Sequence, residues 1–118
     1  MAEAEKLNLK FNARIVDSIE RAVGNVSIEH IAADGSVRAL SKILEHALWD
    51  ENAQRYGVSS KVALDTLDAQ FEAGRDKYDI MLDVTEALVE AGFLPQNTNV
   101  EAMRRNKAAA NEALADIN

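Results

Sequence analysis

Carboxylates are the residues here with the numbers and spacing to do chemistry. Asp76, Asp79, Asp83, Glu86 and Glu90 recur at intervals of three and four, so on a helix they share one face. Asp65, Asp68 and Glu72 repeat the pattern one segment earlier. Acid–base catalysis asks for carboxyls with displaced pKa values inside a pocket. A regular acidic stripe opposite an apolar one describes a solvated face, or a docking face for a basic protein. Calcium chemistry would need an Asp-x-Asp-x-Asp-Gly loop, and there is none. His30 and His46 are the two histidines. Asp50 lies one helical turn beyond His46 and Glu45 lies beside it, short of the three or four convergent ligands that zinc takes. Cysteine is absent, as are Gly-x-Ser-x-Gly and Gly-x-Gly-x-x-Gly. The expectation is a chain with no catalytic group, metal site or cofactor.

Trp49 carries a different kind of chemistry. With Leu40 at the centre of a helical stripe, 100° per residue places Trp49 on the opposite side with Arg38, Lys42 and Glu45. Tyr56 follows if the helix continues. An aromatic on a polar face marks a contact surface. The alternative is that the helix stops near Asp50 and Trp49 folds under the next one.

The elements that must position these residues are mostly helical. Leu7, Leu9 and Phe11 alternate with Asn8 and Lys10, the period of a short strand or extended arm. So short a strand must lie on the helices or pair with another chain, which leaves self-association open. Asn12 is placed to cap a helix carrying Ile15, Val16, Ile19, Ala22 and Val23, closed by Gly24. Ser27 precedes one turn with Ile28, Ile31 and Ala32. Ser36 opens a longer helix with Val37, Leu40, Ile43, Leu44, Ala47 and Leu48 as its buried stripe, ending between Asp50 and Gly57. Ser59 or Ser60 opens the next, with Val62, Ala63, Leu64, Leu67 and Phe71. Asp76 opens the last, with Met81, Val84, Leu88 and Ala91 widened by Ile80, Leu82 and Val89. Gly92 ends it, and Phe93 and Leu94 can fold back before Pro95. The fold class expected is all-α in the main, with four to five helices and an extended N-terminal arm. Residues 1–95 form the domain. Residues 96–118, rich in Ala and Asn, read as a loose or partly helical tail.

The net charge of −7 lies entirely before Gln96. Phosphate backbones repel such a chain, so nucleic acid is not an expected partner. No apolar run exceeds three residues, so no membrane span is expected. The acidity aids solubility, or attracts a basic partner. The N-terminus lacks an apolar leader segment, and with no cysteine the chain suits a reducing compartment.

The order of elements resembles a known family. An extended apolar arm precedes a short helix ending in Gly24. Gly35-Ser36-Val37-Arg38-Ala39-Leu40 then opens a helix running to Ala47-Leu48-Trp49. Tyr56-Gly57-Val58-Ser59 follows, and the last helix closes with Ala87-Leu88-Val89-Glu90-Ala91-Gly92-Phe93. From about Leu7 to Pro95 this is similar to the tail assembly chaperones of long-tailed bacteriophages. The insert from Asp50 to Gln54 and the stretch after Pro95 have no counterpart in the pattern. The resemblance implies a non-enzymatic protein of the host cytoplasm, absent from the finished virion. It would bind the tape measure protein, keep it soluble and help recruit tail tube subunits. A longer frameshifted form would contact the tube protein. On exposure and spacing alone, Leu7, Leu9, Phe11, Trp49 and Tyr56 are candidate partner contacts. Two other readings stand beside this one. One is a small helical DNA-associated regulator or terminase-like subunit using Arg38 and Lys42. The other is a structural head–tail connector component.

Overall fold

The computed structural model describes residues 6–95, so the expected tail at 96–118 lies outside the described residues. Five helices follow the arm: α1 (Ala13–Ala22), α2 (Ile28–Asp34), α3 (Val37–Ala47), α4 (Ser60–Glu72) and α5 (Lys77–Ala91). Between α3 and α4 lies a hairpin of two short strands, β1 (Trp49–Asp50) and β2 (Arg55–Tyr56). The protein is mainly helical, as the periodicity predicts.

Local chemistry fixes the helix starts. Asn12, Ser36, Ser59 and Asp76 each accept a hydrogen bond from the backbone N–H three residues on. At α5 the Asp79 carboxylate also returns a bond to the Asp76 N–H, completing a capping box. Ser27 behaves differently. Its hydroxyl lies 2.7 Å from His30 Nδ1, and the Ile28 N–H is capped instead by Glu20 of α1 at 2.7 Å. A tertiary contact thus does the work of a local cap and ties α2 to α1.

Helix α3 is the centre of the molecule and packs against the other four helices. One side of it contributes Ala39, Ile43 and Ala47 to a cluster with Phe11, Val16, Ile19, Ile28, Ile31, Val84 and Leu88. The other side contributes Leu40, Leu44 and the adjoining Leu48 to a second cluster with Ala63, Leu67 and Ile80. The partly buried Leu9 touches both clusters. Phe93 and Leu94 fold back onto the first cluster after the left-handed Gly92.

Five stripe positions are corrected, the first being Ala22, exposed at the end of α1. Val37, at the first turn of α3, is 44 % exposed, and Val62 and Leu64 of α4 are each 43 % exposed. Ala91 is exposed in the last turn of α5. The middle of α5 is enclosed on nearly all sides, so even Asp83 and Thr85 are buried there. A helix surrounded in this way carries no clean amphipathic stripe.

Gly35 is required twice over. It is the C-cap of α2 with φ +70°, and an added Cβ would sit 3.0 Å from Met81 Sδ and 3.2 Å from Met81 Cε. Gly35→Ala is expected to cost about 1–2 kcal/mol from the left-handed backbone alone. Thermal denaturation would read this as a fall of roughly 4–8 °C per kcal/mol for a domain of this size. An unchanged Tm would mean that neither the conformation nor the Met81 contact matters.

Candidate functional site

The arm lies within its own chain. The Trp49 N–H donates to the Asn8 carbonyl and the Lys10 N–H donates to the Ala47 carbonyl, each at 3.0 Å. Leu9 and Leu48 are antiparallel partners between these bonds. The arm therefore makes a one-residue antiparallel bridge beside the two-stranded hairpin, on the side of Leu48 away from β2. Of the candidate contacts, Phe11 is buried, and Leu7 and Leu9 are half-buried against the two clusters. Of the two placements open to so short a segment, on the helices or against another chain, the structure shows the first: its side chains are seated in apolar sockets of the chain's own clusters.

Polar groups clamp the same segment. The Leu7 N–H donates to Asp83 Oδ2 at 3.1 Å, and the Lys6 ammonium pairs with the Glu86 carboxylate. That hydrogen bond holds the Lys6 ammonium above its ordinary pKa of 10.5. A raised ammonium pKa means that this clamp is complete below about pH 10.5 and is lost as pH rises through the higher folded value. Tyr56 Oη donates to Asn8 Oδ1 at 3.2 Å, and Lys10 Nζ stands 5.6 Å from the Tyr56 ring centroid.

Trp49 and Tyr56 do come together, though not on a helix. Helix α3 ends at Ala47, short of the expected limit between Asp50 and Gly57, and the chain turns through residues 51–54. Trp49 faces Tyr56 across the hairpin with ring centroids 5.0 Å apart and planes at 63°. The indole Nε1 donates to Glu51 at 2.7 Å. Asp50 spends its carboxylate on the turn, accepting from the Asn52 and Ala53 N–H groups at 3.0 and 3.1 Å. His46 and Asp50 therefore do not share a helical turn. Among the described residues no three His, Asp or Glu side chains converge as a metal site. No helix there is long and apolar enough to cross a membrane.

The acidic stripe is also corrected. Asp83 is 5 % exposed and takes a bidentate pair from Arg75, at 2.8 Å from Nη1 and 3.0 Å from Nη2. Arg75 also donates to Gln70 Oε1 and to the Asp79 carbonyl, and its hydrogen bond to Asp83, with the nearby acidic charges, raises its already high pKa. Asp76 and Asp79 are committed to the capping box, and Glu86 to Lys6. Of the five acids only Glu90 is exposed. Four are structural: Asp76 and Asp79 cap the helix, and Asp83 and Glu86 pair with Arg75 and Lys6.

A surface groove of about 390 Å³ lies where α1, α2, α3 and their connections meet. Val23, Val26 and Ile31 give it an apolar side, and Arg38 and Lys42 give it a basic one beside His30. Ser36, Arg38 and Ala39 belong to the Gly35–Leu40 segment, so that segment forms one wall. Lys42 is partly neutralised: Glu45 Oε2, enclosed by protein, faces its ammonium at 3.2 Å as an ion pair without hydrogen-bond geometry. Asp34 is exposed at the groove, and bonds from Ser36 hold its carboxyl below the ordinary value. Val26, 40 % exposed, belongs to no helical stripe, which is why periodicity did not single it out.

No family model, curated protein or solved structure matches this chain.

Proposed function

We propose that this chain is a non-enzymatic polypeptide-binding domain, and that its role is that of a tail assembly chaperone for the tape measure protein of a long-tailed bacteriophage. One observation carries the reading. The Gly35–Leu40 segment, the part that most resembles those chaperones, walls an open groove with apolar and cationic sides. A surface of that kind suits a largely apolar segment with an acidic side chain to meet Arg38, since Lys42 faces Glu45 and Asp34 stands at the groove. The net charge of −7 would keep a complex with an aggregation-prone partner in solution. Recruitment of tube subunits, through a longer frameshifted form, belongs to the same proposal.

The DNA-associated reading is weaker on charge. Of the two bases it needs, Lys42 already faces Glu45. Arg38 alone leaves little to neutralise phosphates.

The test is co-expression with a candidate tape measure protein, a long, coiled-coil-rich chain. The partner is expected to be recovered soluble only with this chain, and to co-elute with it on a tag. A partner that is soluble alone and does not co-elute would remove the chaperone role. Finding the protein in purified particles would favour the connector reading instead.

A further inference from the structure

We infer that the trough holding the N-terminal arm is a strand-binding site for a partner polypeptide, with the arm as its resident occupant. The ligand it fits is an extended segment with a basic residue followed by apolar side chains at alternate positions. This rests on the polypeptide-binding reading and names a second contact for it.

The trough has the parts of a strand receptor. The edge of β1 offers the Trp49 N–H and the flanking Ala47 carbonyl, both used by the arm. Leu7 enters the cluster of α4 and α5, Leu9 lies between the clusters, and Phe11 enters the cluster of α1. The seats are unequal. Phe11 is 7 % exposed, whereas Leu7 and Leu9 keep part of their surface in water. The arm is thus anchored at its Phe11 end and lightly held at its tip.

Charge supports the same occupant. Residues 6–12 carry two lysines and no acid, in a chain of net charge −7. The tip meets Glu86, with Glu90 and Asp83 nearby. An incoming strand with the same charge is drawn to the same end.

Release of the tip strands no fully buried charge, since Glu86, which loses Lys6, is 19 % exposed and keeps contact with water. Asp83 loses the Leu7 N–H but keeps both bonds from Arg75. That separates this contact from an ordinary buried ion pair, whose opening exposes an unpaired charge. A second copy of the chain is a poorer occupant than a partner. Its arm would exchange identical contacts at the cost of one body's freedom. A partner strand with larger side chains at the Leu7 and Leu9 positions gains contact.

The chain has no cysteine, so one pair can lock the arm. Leu9 and Leu48 are a non-hydrogen-bonded antiparallel pair. Such pairs sit about 4.5 Å apart at Cα, within the range a disulfide spans. The probe is a labelled Lys-Phe-Asn-Phe-Lys-Phe-Asn peptide, the arm's sequence with larger side chains at the Leu7 and Leu9 positions, read by fluorescence anisotropy against the full chain. The reduced Leu9→Cys/Leu48→Cys protein should bind it, and the oxidised monomer should bind about tenfold or more weakly, because locking removes the competent state. Each form serves as the folding control for the other, checked by circular dichroism. Leu7→Ser, which loosens the resident tip, should tighten peptide binding. Glu86→Lys should weaken it.

Equal binding by the oxidised and reduced forms would overturn the inference, as would no binding by either the unmodified chain or Leu7→Ser. Disulfide-linked dimers would assign the trough to a second copy and overturn it too. Capture of the tape measure partner by both redox forms would leave the chaperone reading standing and remove the trough from it. Peptide binding without such capture would support the trough and remove the chaperone role.

Discussion

Arg75→Leu is expected to destabilise the fold by about 3–5 kcal/mol, the cost of leaving one member of a buried ion pair alone. The side chains concerned are 18 % exposed for Arg75 and 6 % for Asp83. Arg75 reaches into α5 from just before its N-cap, so the pair fixes how the α4–α5 connection enters the last helix. The decisive comparison is the double variant Arg75→Leu/Asp83→Leu. Removing both charges leaves nothing stranded, and replacing a buried pair by apolar groups is often neutral or stabilising. Urea denaturation of the two single variants and the double one closes a cycle. Single and double variants with equal losses would mean that Asp83 is not buried as an ion.

Leu40→Ala is expected to cost about 3 kcal/mol, from lost apolar burial plus the cavity left behind. Leu40 is 1 % exposed and surrounded by Leu44, Leu48, Ala63, Leu67 and Ile80. For a domain of this size the loss is a Tm drop on the order of 10–20 °C. Arg38, two positions earlier and on the groove, is exposed and packs no core. Arg38→Ala should leave Tm nearly unchanged, as surface changes usually do. Calorimetry on both variants separates the part of the Gly35–Leu40 segment that holds the fold from the part available to a partner. A large Tm loss in Arg38→Ala would show that the groove wall is structural.

Much of the helical layout was legible because it is local. Asn12, Ser36, Ser59 and Asp76 sit ahead of apolar spacing, and each caps a helix. Glycine at positions 35 and 92 closes a helix in the left-handed conformation. The hairpin was not legible. Its strands are two residues each, its turn lacks an Asn-Gly or Asp-Gly pair, and Gln54 takes φ +55° without being glycine. Trp49 and Tyr56, both strand formers, were the available signal, but they followed a long helical run that hid it.

The acidic stripe failed for another reason. Spacing of three and four shows which residues share a face, not whether that face meets water. Asp83 pairs with Arg75, outside the helix and eight residues earlier, so no period within α5 could find it. The same limit applies to Lys6 and Glu86, which are eighty positions apart.

That separation has a consequence during synthesis. The arm is made early, yet its clamp on α5 is unavailable until residue 86 has been added. At roughly 5–20 residues per second the wait lasts about 4–16 s. For that interval Leu7, Leu9 and Phe11 have left the ribosome's active centre without their final seat. The strand partners Ala47 and Trp49 are made midway through that interval, so the arm can pair beside β1 before α5 exists to clamp its tip.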